Sequence, residues 1–224
     1  MPKVLRLTRA MVDKLPATIP DPGQIADIAE LQSEAATAQR LADALAARPD
    51  GPIWVFAYGS LIWNPGMPVA ARRNARIEGW HRAFCLGPDT RYRGNPDNPA
   101  VMLSLDRGGH CDGVALCLPE EDLHANLLTL FNREPPLPPK WLDVQTDDGV
   151  KTALLFVAPE VGTFGHVGAP SLAEVAKQIA PAVGIFGNMP DYVLNTVEQL
   201  EAAGLHDETV WELQALLAAE LEKL

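Results

Sequence analysis

Ile53-Trp54-Val55-Phe56-Ala57 constrains this chain more than any other stretch, because it is a continuous apolar run of strand length with no polar alternation. A strand with one face in water alternates polar and apolar residues, so an unbroken run predicts a strand covered on both faces. Arg48-Pro49-Asp50-Gly51-Pro52 stops whatever precedes it, and Tyr58-Gly59-Ser60 turns the chain immediately after it. Further strand-like runs follow at 75–79, 81–86, 101–105 and 113–118, then near 141–145 and 151–157, divided by segments rich in Gly, Pro, Asn and Asp.

Helical periodicity lies mainly to either side of these strands. Ile25, Ile28, Leu31, Ala35, Ala38, Leu41 and Leu45 recur at helical spacing up to about Arg48. Leu123, Leu127, Leu130 and Phe131 form a stripe within 119–131, after Pro119-Glu120-Glu121-Asp122, which suits a helix N-terminus. The spacing predicts helices again over 171–182, over 190–203 ending at Gly204, and from Asp207 onward, where Val210, Leu213, Leu217, Leu221 and Leu224 make one face. Strands in the middle and helices at the ends predict an α+β fold with a mixed or mostly antiparallel sheet, rather than alternating βα units. Residues 1–24 carry Pro2, Pro16, Pro20 and Pro22 and read as an irregular arm. One helix cannot bury its own apolar face, so residues 1–50 are expected to pack on a main domain spanning 51–224.

The 224 residues carry a formal net charge of −11, which argues against a nucleic-acid backbone or an anionic membrane as partner. The charge is uneven. Between Arg72 and Arg107 seven arginines (72, 73, 76, 82, 91, 93 and 107) face four acids (Glu78, Asp89, Asp97 and Asp106), a local balance of +3. That stretch suits a small anionic ligand, or equally a row of strand arginines paired with acids elsewhere. Cys85, Cys111 and Cys117 are odd in number, match no zinc spacing and sit among apolar neighbours, which predicts buried reduced thiols in a cytoplasmic protein. Charges at Lys3, Arg6, Arg9, Asp13 and Lys14 interrupt any signal-peptide pattern, and no apolar run reaches the ~18 residues of a membrane span. His81, His110, His124, His166 and His206 show no metal-ligand spacing, so no metal is expected.

Two places carry chemistry. Tyr58-Gly59-Ser60-Leu61 directly follows the buried strand. A small-residue turn there leaves successive backbone N–H groups free to converge on an anion, with Gly59 letting the backbone approach the ligand closely and Ser60 adding a hydroxyl. A plain tight turn accounts for the same residues. The second place is Asn132-Arg133-Glu134-Pro135-Pro136 at the end of the 119–131 helix. Pro135 forbids further helix and pushes Glu134 into extended backbone, which preorganises its carboxylate. If partly desolvated, that carboxyl rises toward the range useful for proton transfer. An exposed loop glutamate paired with Arg133 is the plainer alternative.

Taken together, these segments resemble the ChaC-like γ-glutamylcyclotransferase family. Trp54-Val55-Phe56-Ala57-Tyr58-Gly59-Ser60-Leu61-Ile62-Trp63-Asn64-Pro65-Gly66 is similar to the family's opening block, and Gly79-Trp80-His81-Arg82-Ala83-Phe84-Cys85 to the next. Tyr92-Arg93-Gly94-Asn95-Pro96, Leu105-Asp106-Arg107-Gly108-Gly109, Arg133-Glu134, Lys140-Trp141-Leu142 and Gly187-Asn188-Met189-Pro190-Asp191-Tyr192 follow in order. The resemblance covers about residues 53–205. It implies a mixed, partly closed β-barrel flanked by helices, and cleavage of glutathione to 5-oxoproline and cysteinylglycine without a cofactor. It further implies Glu134 as acid/base, with the Tyr58–Leu61 backbone on the α-carboxylate or the oxyanion. Arg93 is assigned to the glycine carboxylate and Tyr192 to the pocket wall. The chain departs from the family at Ala57, where Gly is common, and at Glu134–Lys140, which holds four prolines and no aromatic. That altered loop keeps open a different γ-glutamyl amide or amine as substrate, and a non-catalytic binding protein on the same fold is the remaining alternative.

Overall fold

Five strands close into a barrel, in the order β1-β3-β2-β4-β5. They are β1 (Trp54–Ala57), β2 (Ala71–Asp89), β3 (Ala100–Cys117), β4 (Lys140–Thr146) and β5 (Gly149–Leu155). The computed structural model describes residues 4–24, 26–163 and 165–224; Met1, Pro2, Lys3 and Ile25, which entered the sequence reading, lie outside the described residues. The chain divides into two compact units, one of Gln24–His81 and Leu105–Val157, the other of Met1–Gly23, Arg82–Ser104 and Ala158–Leu224. The expected 1–50 arm is therefore shared between them.

In the first unit β1 pairs antiparallel with β3 (Trp54↔Cys117 through Ala57↔Val114) and parallel with β5 (Trp54↔Ala153, Val55↔Leu154). Flanked on both sides, Val55, Phe56 and Ala57 are at most 1% exposed, as the unbroken apolar run required. Burial of the Val55 and Phe56 side chains contributes roughly 1.5–3 kcal/mol each. Gly113 lets β3 approach β1 closely, since a Cβ there would lie 2.5 Å from the Ala57 carbonyl oxygen and 2.8 Å from the Phe56 ring. β4 and β5 form a hairpin, and β2 meets β4 antiparallel at Ala75↔Thr146. The barrel is thus mixed and closed, where the sequence led us to expect partial closure.

Two further expectations change. The separate runs at 75–79 and 81–86 are one strand, as are those at 101–105 and 113–118. Gly79, Gly108 and Gly109 have positive φ inside these strands and bend them without ending them. Arg107 stacks over Trp80 and His81 Nδ1 lies 3.1 Å from the Gly108 carbonyl, so the bends face one another across the ladder. The single helix expected up to Arg48 is two, α2 (Ala26–Leu31) and α3 (Glu34–Ala46), because Ser33 caps a new helix through the Ala36 N–H. Thr37 and Leu41 are the buried positions of α3, whereas Ala35 and Ala38 are exposed. α3 is tied to β4 by Trp141, whose Nε1 donates to the Ala44 carbonyl at 2.9 Å.

The second unit holds α1 (Arg9–Val12), the outer parts of β2 and β3, α5 (Leu172–Ile179), the short β6–β7 hairpin (Val183–Gly184, Gly187–Asn188), α6 (Met189–Ala202) and α7 (Glu208–Leu221). Each of the last three helices has a side-chain cap: a Ser171–Glu174 capping box, Asn188 on Asp191, and Asp207 on Val210. Asp207 also binds the buried Arg82 at 2.6 Å, fastening β2 to the start of α7. The segment before α1 is held by Gln214, whose Oε1 accepts the Arg6 and Leu7 N–H groups at 3.0 and 2.9 Å. Among the described residues no helix is long and apolar enough to cross a membrane.

Much of the arginine-rich stretch is paired with acids, as one of its two readings held. Arg76 binds Asp112, Arg73 binds Asp148, Arg91 binds Asp21 and Arg82 binds Asp207. Cys85, Cys111 and Cys117 are all free, and Cys117 is half-buried rather than buried.

Candidate functional site

α4 (Leu123–Arg133) positions the carboxylate singled out in the sequence. Its stripe of Leu127, Leu130 and Phe131 is at most 2% exposed, and the Phe131 ring meets Phe156 edge-on with centroids 5.5 Å apart. The helix ends on Glu134, whose N–H donates to the Leu130 carbonyl at 3.0 Å while its backbone turns extended (φ −82°, ψ 156°). Pro135 imposes that conformation. The carboxyl is therefore fixed at the end of a packed helix, on a stem with little freedom.

Burial pushes the Glu134 carboxyl up to about 7, and the Arg133 guanidinium pulls in the opposite direction. The Glu134 side chain is 13% exposed and its Oε1 lies 3.5 Å from Arg133 Nε. The pairing with Arg133 expected of a plain loop glutamate is present, but the residue is not exposed. A carboxyl that changes charge near neutral pH accepts and returns a proton with little driving force lost in either direction. With a guanidinium as its neighbour, the carboxyl is a poor ligand for a cation.

β1 delivers the other half of this cluster. Ser60–Ile62 form one 3₁₀ turn in which Ile62 N–H bonds the Gly59 carbonyl at 3.0 Å and Asn64 N–H bonds the Ser60 carbonyl at 2.7 Å. The turn's own bonds begin at Ile62, so the Ser60 and Leu61 N–H groups lie ahead of its ladder. Gly59 has φ −139° and ψ −128°, outside the left-handed region. Arg133 joins turn to helix: its Nη1 donates to the Asn64 carbonyl at 2.6 Å and its Nη2 to Ser60 Oγ at 3.3 Å. Ser60, Arg133 and Glu134 thus form one connected polar group.

Arg93 and Tyr192 belong to the other unit and form a cluster there. The Arg93 guanidinium lies 5.5 Å from the Tyr192 ring centroid, and Tyr192 is 5% exposed. Asp89 shapes the loop that carries Arg93, its carboxylate accepting the N–H groups of Arg91, Tyr92 and Arg93 at 3.0, 2.9 and 2.6 Å. The β6–β7 turn docks on that loop through Ile185 N–H to the Arg91 carbonyl and Phe186 N–H to the Tyr92 carbonyl. Phe186 stacks on Tyr92 with centroids 5.2 Å apart. Tyr58 and Leu61 are buried beside Ser60. Sequence reasoning placed Arg133 beside Glu134 but not its bonds to Ser60 and Asn64, which no local spacing signals. The proline loop folds on itself, with Leu137 N–H bonding the Pro135 carbonyl at 2.7 Å.

Comparison with known proteins adds to this geometry. A family model described as ChaC-like protein matches residues 53–220, more than half of the chain. The glutathione-specific γ-glutamylcyclotransferase of Escherichia coli K12 is 37% identical over 187 residues, covering 79% of this chain and 78% of that one. The Arabidopsis thaliana γ-glutamylcyclotransferase 2-3 is 35% identical, covering 72% of this chain and 86% of its own. Among solved structures, a yeast γ-glutamylcyclotransferase specific to glutathione superposes with a TM-score of 0.66 at 22% identity, covering 78% of this chain and 97% of that one. At that identity the likeness speaks for the fold.

Proposed function

The chain belongs to the ChaC-like family, and on that premise we propose that it is a γ-glutamylcyclotransferase, a lyase that cleaves glutathione to 5-oxoproline and cysteinylglycine. The observation that carries the chemical part of this reading is Glu134. Its carboxyl is largely buried, raised to about 7, and linked through Arg133 to the turn after β1.

The reaction needs no enzymic nucleophile. The substrate's α-amino nitrogen attacks its own δ-carbonyl carbon, so a C–N bond forms and a five-membered ring closes. The amide C–N bond to cysteine then breaks. The protein's share is to fold the γ-glutamyl chain for attack and to move a proton. Glu134, ionised, takes a proton from the attacking amine and returns it to the departing nitrogen, so the carboxylate is regenerated each turnover. N–H groups of the Tyr58–Leu61 turn suit the α-carboxylate or the developing oxyanion, and the Ser60 hydroxyl lies alongside. The three free thiols support a reducing, cytoplasmic setting.

The test is incubation of the purified protein with glutathione and assay of 5-oxoproline and cysteinylglycine, with Glu134→Gln alongside. Product is expected from the wild type, and a kcat lower by ~10²-fold or more from the variant. Near-normal turnover by a folded Glu134→Gln would remove that residue from the chemistry. The four prolines between Glu134 and Lys140 keep one second reading, another γ-glutamyl amide or amine as substrate, which a panel of such compounds decides.

A further inference from the structure

Gly66 follows the turn after β1 and has φ +73°, which by itself asks only for a residue without a side chain. What surrounds it asks for more. A Cβ at Gly66 would lie 2.7 Å from Arg133 Nη1, 3.7 Å from its Cδ and 3.8 Å from its Cζ. The guanidinium occupies the space where any other residue would carry its first side-chain atom. Gly149, the first residue of β5 in the same unit, differs: it has φ +108° and nothing within 4 Å of a Cβ.

We infer that Gly66 is a positioning residue for the proposed reaction, its missing side chain seating the Arg133 guanidinium on the Asn64 carbonyl and the Ser60 hydroxyl, where it faces the Glu134 carboxyl. The inference rests on Glu134 as the proton carrier. The obstructed atom is the tip of a flexible side chain, so a methyl group at Gly66 is absorbed by Arg133 swinging away, and the backbone keeps its course. Nη1 is also the atom that bonds Asn64, so the brace fails where the methyl group enters. Among the described residues Arg133 is the charged group acting on the Glu134 carboxyl, and it opposes the effect of burial. Moving it away leaves burial less opposed.

The experiment compares Gly66→Ala with Gly149→Ala, which shares the positive-φ strain but reaches nothing. The Glu134 carboxyl is followed by 13C NMR in protein labelled at glutamate side chains, its resonance assigned by its loss in Glu134→Gln. In Gly66→Ala the titration midpoint moves upward by ~0.5 unit or more, as loss of a nearby opposite charge requires. In Gly149→Ala it stays at the wild-type value. With glutathione at pH 6.5, kcat of Gly66→Ala falls about 3-fold or more with KM little changed, and Gly149→Ala turns over as the wild type. In an Arg133→Lys background, Gly66→Ala has no further effect on kcat, since both substitutions act through one side chain. An unmoved titration in Gly66→Ala overturns the inference. So does a kcat that stays at the wild-type value while the titration moves, or a loss that persists undiminished in the Arg133→Lys background. A wild-type protein that releases no 5-oxoproline sinks the functional reading instead, and the titration still decides whether Gly66 seats Arg133.

Discussion

Replacing Glu134 by Gln should make the protein more stable above neutral pH while impairing its chemistry. Gln keeps the shape of the side chain and cannot ionise, and Arg133 retains its bonds to Asn64 and Ser60. The Glu134 carboxyl stands at about 7 in the folded chain against an ordinary value of 4.5. The folded state therefore holds this proton more tightly than the unfolded state. The stabilisation from the neutral buried carboxyl is full below pH 4.5 and is lost as pH rises through about 7. A displacement of about 2.5 units at ~1.4 kcal/mol each gives about 3 kcal/mol. The side chain is only 13% exposed, so solvent screening removes little of this. Urea unfolding of both proteins from pH 4.5 to 8.5 reads the difference, because every other titrating group cancels between them. The variant should gain about 3 kcal/mol on the wild type across that range, a midpoint shift of about 1 M urea or more, with an unchanged slope. A difference that stays flat with pH, or a wild type that gains on the variant as pH rises, would refute the reasoning. The first result means that the carboxyl titrates as an ordinary surface glutamate, and the second that its pairing with Arg133 outweighs its burial.

The same titration predicts an acid limb in kcat: because the ionised carboxyl takes the first proton, turnover should climb as pH passes through about 7, and a limb near 4.5 would contradict the burial argument. Gly184→Ala should cost far more than an exposed glycine substitution, since its Cβ would lie 2.3 Å from the Tyr92 carbonyl carbon and oxygen, backbone that cannot swing aside. A loss of ~2 kcal/mol or more in urea unfolding is expected, and a change within ~0.5 kcal/mol would mean that the β6–β7 turn does not press on the 91–92 backbone.

Local pattern carried the reading of β1, because burial on two faces leaves its mark residue by residue in Val55, Phe56 and Ala57. It likewise carried the extended backbone of Glu134, since Pro135 dictates the conformation of the residue before it. It misjudged Gly79, Gly108 and Gly109, because a glycine that bends a strand and one that ends it look alike until the partner strand is in place. It ran the helix through Ser33 because the stripe of apolar residues hides a cap whose evidence is one side-chain bond. The Arg133 brace was beyond it altogether. Ser60, Asn64 and Gly66 lie some seventy positions earlier in the chain than Arg133, and only the closed barrel brings them to the end of α4.

The interleaving of the two units has a consequence for how the chain is made. The barrel unit is complete in sequence at Val157, and its closing pair, β1 with β5, needs nothing beyond Leu155. A ribosome releasing the chain in order thus presents every strand of the barrel before α5, α6 and α7 emerge. The other unit waits. Its segment 82–104 emerges mid-way, and Arg82 and Asn95 stay without Asp207 and Val183 until translation has run on by roughly 90–125 codons. Nascent chains that have just released Val157 from the ribosome are thus the ones in which a closed barrel coexists with an unsupported 82–104 hairpin, and in which a chaperone would find the most to hold.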